Sequence, residues 1–341
     1  MVISCVALIV ALAAAEAVLR FLGAPVEFNP GRDVFGKTWT QTMHRPSKLA
    51  GLDYELAPDL KIDTGRHLIE SNSMGFRSPE IKTEKRAGVR RVLVLGDSFT
   101  FAFGTKRENT YPVVLERLLE ESRETDLEIV NMGVSGYGSK DEAAIFLNRG
   151  AKLDPDLVIM QYFLNDPNIG PVQPLSAHYR PVKWWQHLNL TRLIYKMLWQ
   201  KKIEKLGDGD YYRYLHKDPR SWQSVERSFE KLGEWSTQHK VPMLLVVFPA
   251  LDVPDWPEYP YADLHSKVMD TATRKGFVTA DLYRDFKKYN KEELTLSADN
   301  FHPSAKAHEV AARRLAEEIE KNFPGLLQRP GKADRESRGN Q

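Results

Sequence analysis

The stretch Val92-Leu93-Val94-Leu95-Gly96-Asp97-Ser98-Phe99-Thr100 sets the reading of this chain, because an apolar run stops abruptly at Gly-Asp-Ser. Consecutive apolar residues without alternation describe a strand covered on both faces, which belongs in a parallel sheet flanked by helices. In an open α/β sheet, ligands bind outside the carboxyl ends of the strands. Ser98 is therefore presented to the crevice at a strand-to-helix turn, where its hydroxyl can attack and its backbone N–H can face an anion. The plainer alternative is that Asp97 and Ser98 cap the next helix, as these residue types routinely do.

Outward from this stretch, short β-branched runs alternate with amphipathic stretches. Strands are expected at Arg91 to Leu95, Leu127 to Asn131, Leu157 to Tyr162, Met243 to Phe248 and Phe277 to Asp281. Helical spacing marks Tyr111 to Ser122, Lys140 to Ala151, Ser221 to His239, Tyr261 to Lys275 and Ser304 to Asn322. The main domain thus covers 90–325. Its rhythm is interrupted by an insertion at about 170–220 that is too long for a plain loop. This insertion carries Pro171, Pro174, Pro181, the pair Trp184 and Trp185, and a basic amphipathic stretch. It reads either as a cap over the active site or as a packed helical insertion whose aromatics fill their own small core. Residues 24–89, rich in Pro, Gly and polar side chains, form a strand-poor lead-in wrapped on the main domain. Residues 326–341 are a polar, frayed tail.

The first 23 residues are almost entirely apolar, broken by Ser4, Glu16 and Arg20. A helix of this length spans roughly 30 Å, enough to cross a bilayer. A transmembrane signal anchor is expected, with the catalytic domain held at the membrane on its periplasmic or extracytoplasmic side. The 48 basic and 46 acidic residues give a net charge of +2, so no bulk field recruits nucleic acid. The single cysteine, Cys5, excludes a disulfide within the folded body.

Three further turns carry chemistry. Asp299-Asn300-Phe301-His302-Pro303 precedes the last helix. A serine hydroxyl needs a base, an imidazole titrates near neutrality, and a carboxylate fixes the tautomer of that imidazole. The three-residue spacing lets Asp299 fold back on His302, with His308 as a packing histidine for contrast. Asn131-Met132-Gly133-Val134-Ser135-Gly136-Tyr137-Gly138 follows the second strand, and Phe163-Leu164-Asn165-Asp166 follows the third. Both open on the same sheet edge as Ser98. Gly136 can offer a backbone N–H and Asn165 its amide to an oxyanion, although glycines after strands and Asn-Asp before Pro167 also make ordinary turns. The glycines do not have dinucleotide-binding spacing, and no phosphate-binding loop motif is present.

The ordered set of Gly-Asp-Ser, Ser-Gly, Asn-Asp and Asp-x-x-His resembles the SGNH/GDSL hydrolase superfamily over roughly Arg90 to Asn322. The resemblance implies a three-layer α/β/α flavodoxin-like fold, no metal or organic cofactor, and an esterase working through an acyl-enzyme. It implies Ser98 as nucleophile and oxyanion donor, Gly136 and Asn165 as the other donors, His302 as base and Asp299 as its orienter. Activity is then expected to fall below about pH 6, as the imidazole takes up a proton. Asn72-Ser73-Met74-Gly75-Phe76-Arg77 in the lead-in is similar to membrane-anchored bacterial members, with Arg77 expected to bind an acidic group or form a structural salt bridge. One place departs from the family pattern: Phe163 stands where Gly is common, which is expected either to narrow the pocket or to reshape the substrate's exit. The expected substrate is a small-molecule or carbohydrate acyl ester, with acetyl groups favoured. An O-acyltransferase acting on envelope carbohydrate or lipid, and a catalytically silent binding component, are the alternatives.

Overall fold

The computed structural model describes residues 2–22, 43–122, 126–169, 184–253 and 256–328. Five parallel strands form the central sheet: β1 (Val89–Leu95), β2 (Asp126–Asn131), β3 (Leu157–Tyr162), β4 (Met243–Val247) and β5 (Val278–Asp281). Their spatial order is β2-β1-β3-β4-β5, the doubly wound order in which the chain reverses direction between β1 and β3. In register, Val92 lies beside Ile129 on one side and Leu157 on the other. The crevice outside this switch point is where Ser98 emerges.

Alternation along β1 builds two separate cores. Val92 and Val94 face one way, toward Leu115 and Leu119 of α3 (Tyr111–Ser122) and Ala311 and Leu315 of α9 (Ala305–Asn322). Leu93 and Leu95 face the other way, toward Phe146 of α4 (Ser139–Asn148), Phe229 and Leu232 of α7 (Pro219–His239) and Val268 of α8 (Ala262–Thr273). Side chains of successive strand residues point to opposite faces, so a continuous apolar run is what a sheet covered on both sides requires. The three-layer α/β/α architecture follows.

The lead-in joins the second core. Tyr54, Leu56, Ile62, Ile69 and Phe76 are buried there, and two short hairpins pair residues 44–46 with 54–56 and 61–63 with 68–70. Within the insertion, residues 170–183 lie outside the described residues. Beyond them come α5 (Asn189–Gly207) and α6 (Tyr211–Lys217). The Trp184 and Trp185 rings are exposed, so they do not fill an insertion core. At the carboxyl end Leu326 and Leu327 are buried in a short 3-10 turn, and the rest of the expected tail lies outside the described residues apart from Gln328.

The expected transmembrane anchor is corrected. Helix α1 (Val2–Phe21) forms, but among the described residues no helix is long and apolar enough to cross a membrane. The stretch ahead of Glu16, from Val2 to Ala15, rises only about 21 Å, against a hydrocarbon thickness of about 30 Å. Glu16 then turns to the protein. Its carboxylate accepts the backbone N–H groups of Asn189 (3.0 Å) and Leu190 (2.8 Å) and pairs with Arg20 at 2.7 Å. It thereby caps the N-terminus of α5, whose own N-cap, Leu188, supplies no side-chain acceptor. Val6, Ile9 and Val10 stay exposed on α1. The membrane attachment and the extracytoplasmic placement derived from an anchor fall with it.

Candidate active site

Gly96 ends β1 and Asp97 caps α2 (Ser98–Phe101), its Oδ1 accepting the Phe99 N–H at 2.8 Å. The capping alternative for Asp97 therefore holds, and it is compatible with a working Ser98. The turn is crowded. A Cβ on Gly96 would lie 2.0 Å from Thr100 Oγ1 and 2.5 Å from Gln161 Oε1. Both atoms are committed, because Gln161 Oε1 accepts from the Asp97 N–H (3.1 Å) and from Thr100 Oγ1 (2.9 Å). Arg77, buried in the lead-in, closes the far end. Its Nη1 donates to the carbonyls of Phe101 and Ala102, and its Nη2 to Thr105 O at 2.8 Å. Helix carbonyls lack partners at a C-terminus, so Arg77 caps α2. Among the described residues Arg77 makes no salt bridge of the kind expected, its guanidinium being turned to these carbonyls. Burial lowers its pKa to about 10, which leaves it charged at neutral pH.

Ser98 Oγ lies 3.0 Å from His302 Nε2 across 204 positions of sequence. His302 sits on a small antiparallel hairpin of Thr295–Ser297 and Asn300–Pro303. Its ring stacks on Phe301 (5.0 Å, 16°) and meets the edge of Phe99 (5.6 Å). Phe163 extends this aromatic group, 4.4 Å from Phe99. It is fully buried in the core. Burial among these rings lowers the His302 pKa to about 4, because the charged imidazolium is poorly solvated there. The ring is therefore neutral well below the pH 6 expected from an unperturbed histidine.

Asp299 is not brought to His302. It lies exposed at the hairpin tip, while Asn300 Oδ1 stands 2.7 Å from His302 Nδ1. The physical reason is strand geometry: residues two apart share a face and neighbours alternate, so the strand carries Asn300, not Asp299, to the histidine's side. His308, by contrast, is wholly buried on α9 and stacked on Tyr111 at 5.9 Å.

The other two turns pack against the first. The Val134 N–H donates to Gly96 O at 3.1 Å. Val134 O accepts from Tyr137 N, and Gly136 occupies the third place of this turn with φ +78°, a value open to glycine and required there by a type II turn. Tyr54 of the lead-in donates to Ser135 O at 2.8 Å, and Tyr137 returns a bond to Tyr54 O. Asn165 sits in a turn closed by Asp166 N donating to Phe163 O. Gly138 allows that turn to approach, since a Cβ would lie 2.4 Å from Asp166 O. Beyond it, a cleft of about 370 Å³ is lined by Asn168, Trp199, Tyr211, Tyr214 and Arg220. Neither Ser98 nor His302 lines it.

Beneath these turns lies a group of carboxyls that motif reading missed. Burial pushes Asp97 up to about 6, against the hydrogen bond from the Phe99 N–H and the nearby Gln161 and Asn165 amides, which hold it down. No bond of normal geometry joins Asn165 to Asp97 Oδ2. Glu142 and Asp166 are fully buried. Burial first, then the neighbouring carboxyls, drives both well above the usual carboxylate range, and Ser139 Oγ donates to Asp166 at 3.0 Å. Among the described residues, no group of three or more His, Cys, Asp or Glu side chains is arranged to hold a metal ion.

The family model described as GDSL-like lipase/acylhydrolase matches residues 94–310, well over half of the 341. The chain belongs to the GDSL-like lipase/acylhydrolase family. The matched span runs from within β1 into α9 and holds all four turns. At family level this gives ester-cleaving activity of the serine-hydrolase type. Similar solved structures include an α/β hydrolase enzyme from the metagenome of Lake Arreo, Spain (22% identity, 72% of this chain and 98% of that one, TM-score 0.46). An acetylxylan esterase from Geobacillus stearothermophilus is similar at 18% identity, covering 68% and 94%, TM-score 0.44. A lipase/acylhydrolase from Enterococcus faecalis is similar at 16%, covering 71% and 99%, TM-score 0.42. No curated protein matches the sequence.

Proposed function

We propose that this chain hydrolyses short acyl esters through an acyl-enzyme on Ser98. The observation that carries the reading is the 3.0 Å approach of Ser98 Oγ to His302 Nε2, within hydrogen-bond reach of a base. Ser98 Oγ attacks the ester carbonyl while its proton passes to Nε2. The resulting oxyanion is received by the backbone N–H groups of Ser98 and Gly136 and by the Asn165 amide, donors preset where charge develops. His302 then returns its proton to the departing alkoxide. Water, deprotonated by the same imidazole, attacks the acyl-enzyme and releases the acid and free Ser98.

The preference for short chains is supported by the rings of Phe99 and Phe301, which pack against the imidazole, and by the buried Phe163 ring behind them. Phe163 in particular supplies bulk where the family pattern commonly has glycine. The test is a fluorophosphonate probe followed by a p-nitrophenyl ester series. Labelling of wild type but not of Ser98→Ala, with acetate and butyrate esters turned over faster than decanoate, is the expected result. Equal labelling of both proteins sinks the nucleophile assignment, and preference for decanoate sinks the chain-length reading.

A further inference from the structure

Where the insertion meets the Asn165 turn, three helices close the cleft of about 370 Å³. Helix α5 supplies Trp199 and Lys202, α6 supplies Tyr211 and Tyr214, and α7 opens with Arg220. The remaining wall is Asn168. Its backbone N–H donates to Asn165 O at 2.9 Å, which closes a turn whose end Cα atoms lie less than about 7 Å apart. A ligand held at Asn168 is thus one turn away from the proposed oxyanion donor. Ring contacts also join the two places, since Phe163 meets Tyr212 at 5.6 Å and Tyr212 meets Tyr211 at 5.9 Å.

Two features of the walls select the occupant. The Trp199 ring stands steeply to Tyr211 (5.7 Å, 67°) and Tyr214 (6.3 Å, 89°), so the rings make a corner of flat apolar faces instead of a stack. Such a face accepts the C–H side of a sugar ring, while the hydroxyls of the sugar find polar groups at the rim. Charge narrows the class. Arg213 and Lys217 of α6 are paired with Asp263 and Asp208, whereas Lys202 and Arg220 at the cleft make no ion pair among the described residues. The lining acid, Asp218, is turned to the Ser221 N–H (3.0 Å) as the cap of α7. Two uncompensated cations beside aromatic faces fit a sugar that carries an acidic group.

We propose that this cleft binds the alcohol part of the substrate, an acidic carbohydrate whose ring lies on Trp199 and whose carboxylate faces Lys202 and Arg220. The proposal rests on the reading of Ser98 as the residue that takes a short acyl group, because the alcohol is then the larger part and needs a site of its own. Binding energy gathered there, away from the reacting atoms, holds the ester carbonyl near Ser98.

The test measures kcat/KM on O-acetylated trigalacturonate, on O-acetylated galactotriose, which lacks the carboxylates, and on p-nitrophenyl acetate, which lacks the sugar. Wild type should prefer the acidic sugar ester to the neutral one by about tenfold or more, and high salt should shrink that preference. Trp199→Ala should lower the ratio of sugar-ester to p-nitrophenyl acetate turnover by about tenfold. Lys202→Ala combined with Arg220→Ala should erase the acidic preference. The proposal is overturned if wild type turns over the two sugar esters alike or if neither substitution moves its ratio. It is also overturned if Trp199→Ala slows p-nitrophenyl decanoate as much as the acidic sugar ester, which puts an acyl chain in the cleft. Should Trp199→Ala fail to fold, the double variant decides, since both of its side chains are exposed. Calorimetry with unacetylated trigalacturonate on the Ser98→Ala protein separates the two readings. Binding that the double substitution weakens, in a protein without esterase activity, fails the acyl-enzyme and leaves the cleft standing. No binding, in a protein whose wild type cleaves p-nitrophenyl acetate, fails the cleft alone.

Discussion

The proposed nucleophile and its proposed base are held in opposite ways. The Ser98 turn is buried, with Asp97, Phe99, Thr100 and Phe101 almost wholly removed from solvent. It is fixed by Gly96, Gly133, Gln161 and Arg77 pressing from four sides. The His302 hairpin pairs three residues with four through an irregular register, and its tip from Ser297 to Asp299 is exposed. On the tip side of His302, the hairpin depends on a side-chain tether at Asn300 more than on packing. Rigidity at the first site comes from surrounding volume, whereas at the second it comes from individual hydrogen bonds. Substitutions should therefore damage the two regions through different observables.

The largest effect tests the pair itself. Ser98→Ala and His302→Ala should each lose about 10³-fold or more in kcat, with circular dichroism unchanged, and residual turnover near wild type in either would break the pairing. Asn165→Ala should cost about 10²–10³-fold in kcat, read on the same acetate ester with KM nearly constant. A loss confined to KM would remove Asn165 from the oxyanion site.

A stability contrast sharpens the comparison further. A Cβ on Gly133 would sit 2.6 Å from the Phe101 backbone nitrogen, which cannot swing aside. Gly133→Ala should therefore destabilise by about 1–3 kcal/mol, while Ala298→Ser at the exposed hairpin tip should stay within about 0.5 kcal/mol. Urea titration of both variants is the check, and equal midpoints would erase the distinction between the regions.

The smallest expected effect concerns the carboxyls under the nucleophile turn. Glu142 has a folded-state pKa well above its unfolded value. The neutral group thus favours folding at low pH, and that contribution is lost as pH rises from about 4.5. Glu142→Gln cannot ionise. Its melting temperature should exceed that of wild type by about 2 °C or more at pH 8, with the gap closing toward pH 4. A gap that widens on acidification would reverse the sign and dismiss the explanation.

The central elements were legible because their physics is local and strong. The β3 strand and helix α3 have the bounds that apolar runs and helical spacing indicate, and β4 differs by one residue at its end. Ser98 and His302 stood out because Gly-Asp-Ser and Asp-x-x-His end or precede regular elements. The fold-back of Asp299 on His302 was expected from an irregular loop, whereas Asn300–Pro303 forms a strand that leaves Asp299 exposed at the tip. Read as a strand, Asn300 and His302 lie on one face, and that signal was present in the residues. The role of Arg77 was invisible for another reason. Its partners are backbone carbonyls, which leave no mark in sequence. Glu142 likewise reads as an ordinary helix residue until the sheet edge closes over it.

Arg77 carries a practical consequence. The family-matching span begins at residue 94, yet the cation that seals the last turn of α2 lies seventeen positions upstream, and Tyr54, which steadies the Gly136 turn, lies farther still. An expression fragment trimmed to the matched span would keep the whole chemical motif set. It would lose the clamp and the brace that hold two of those motifs in shape.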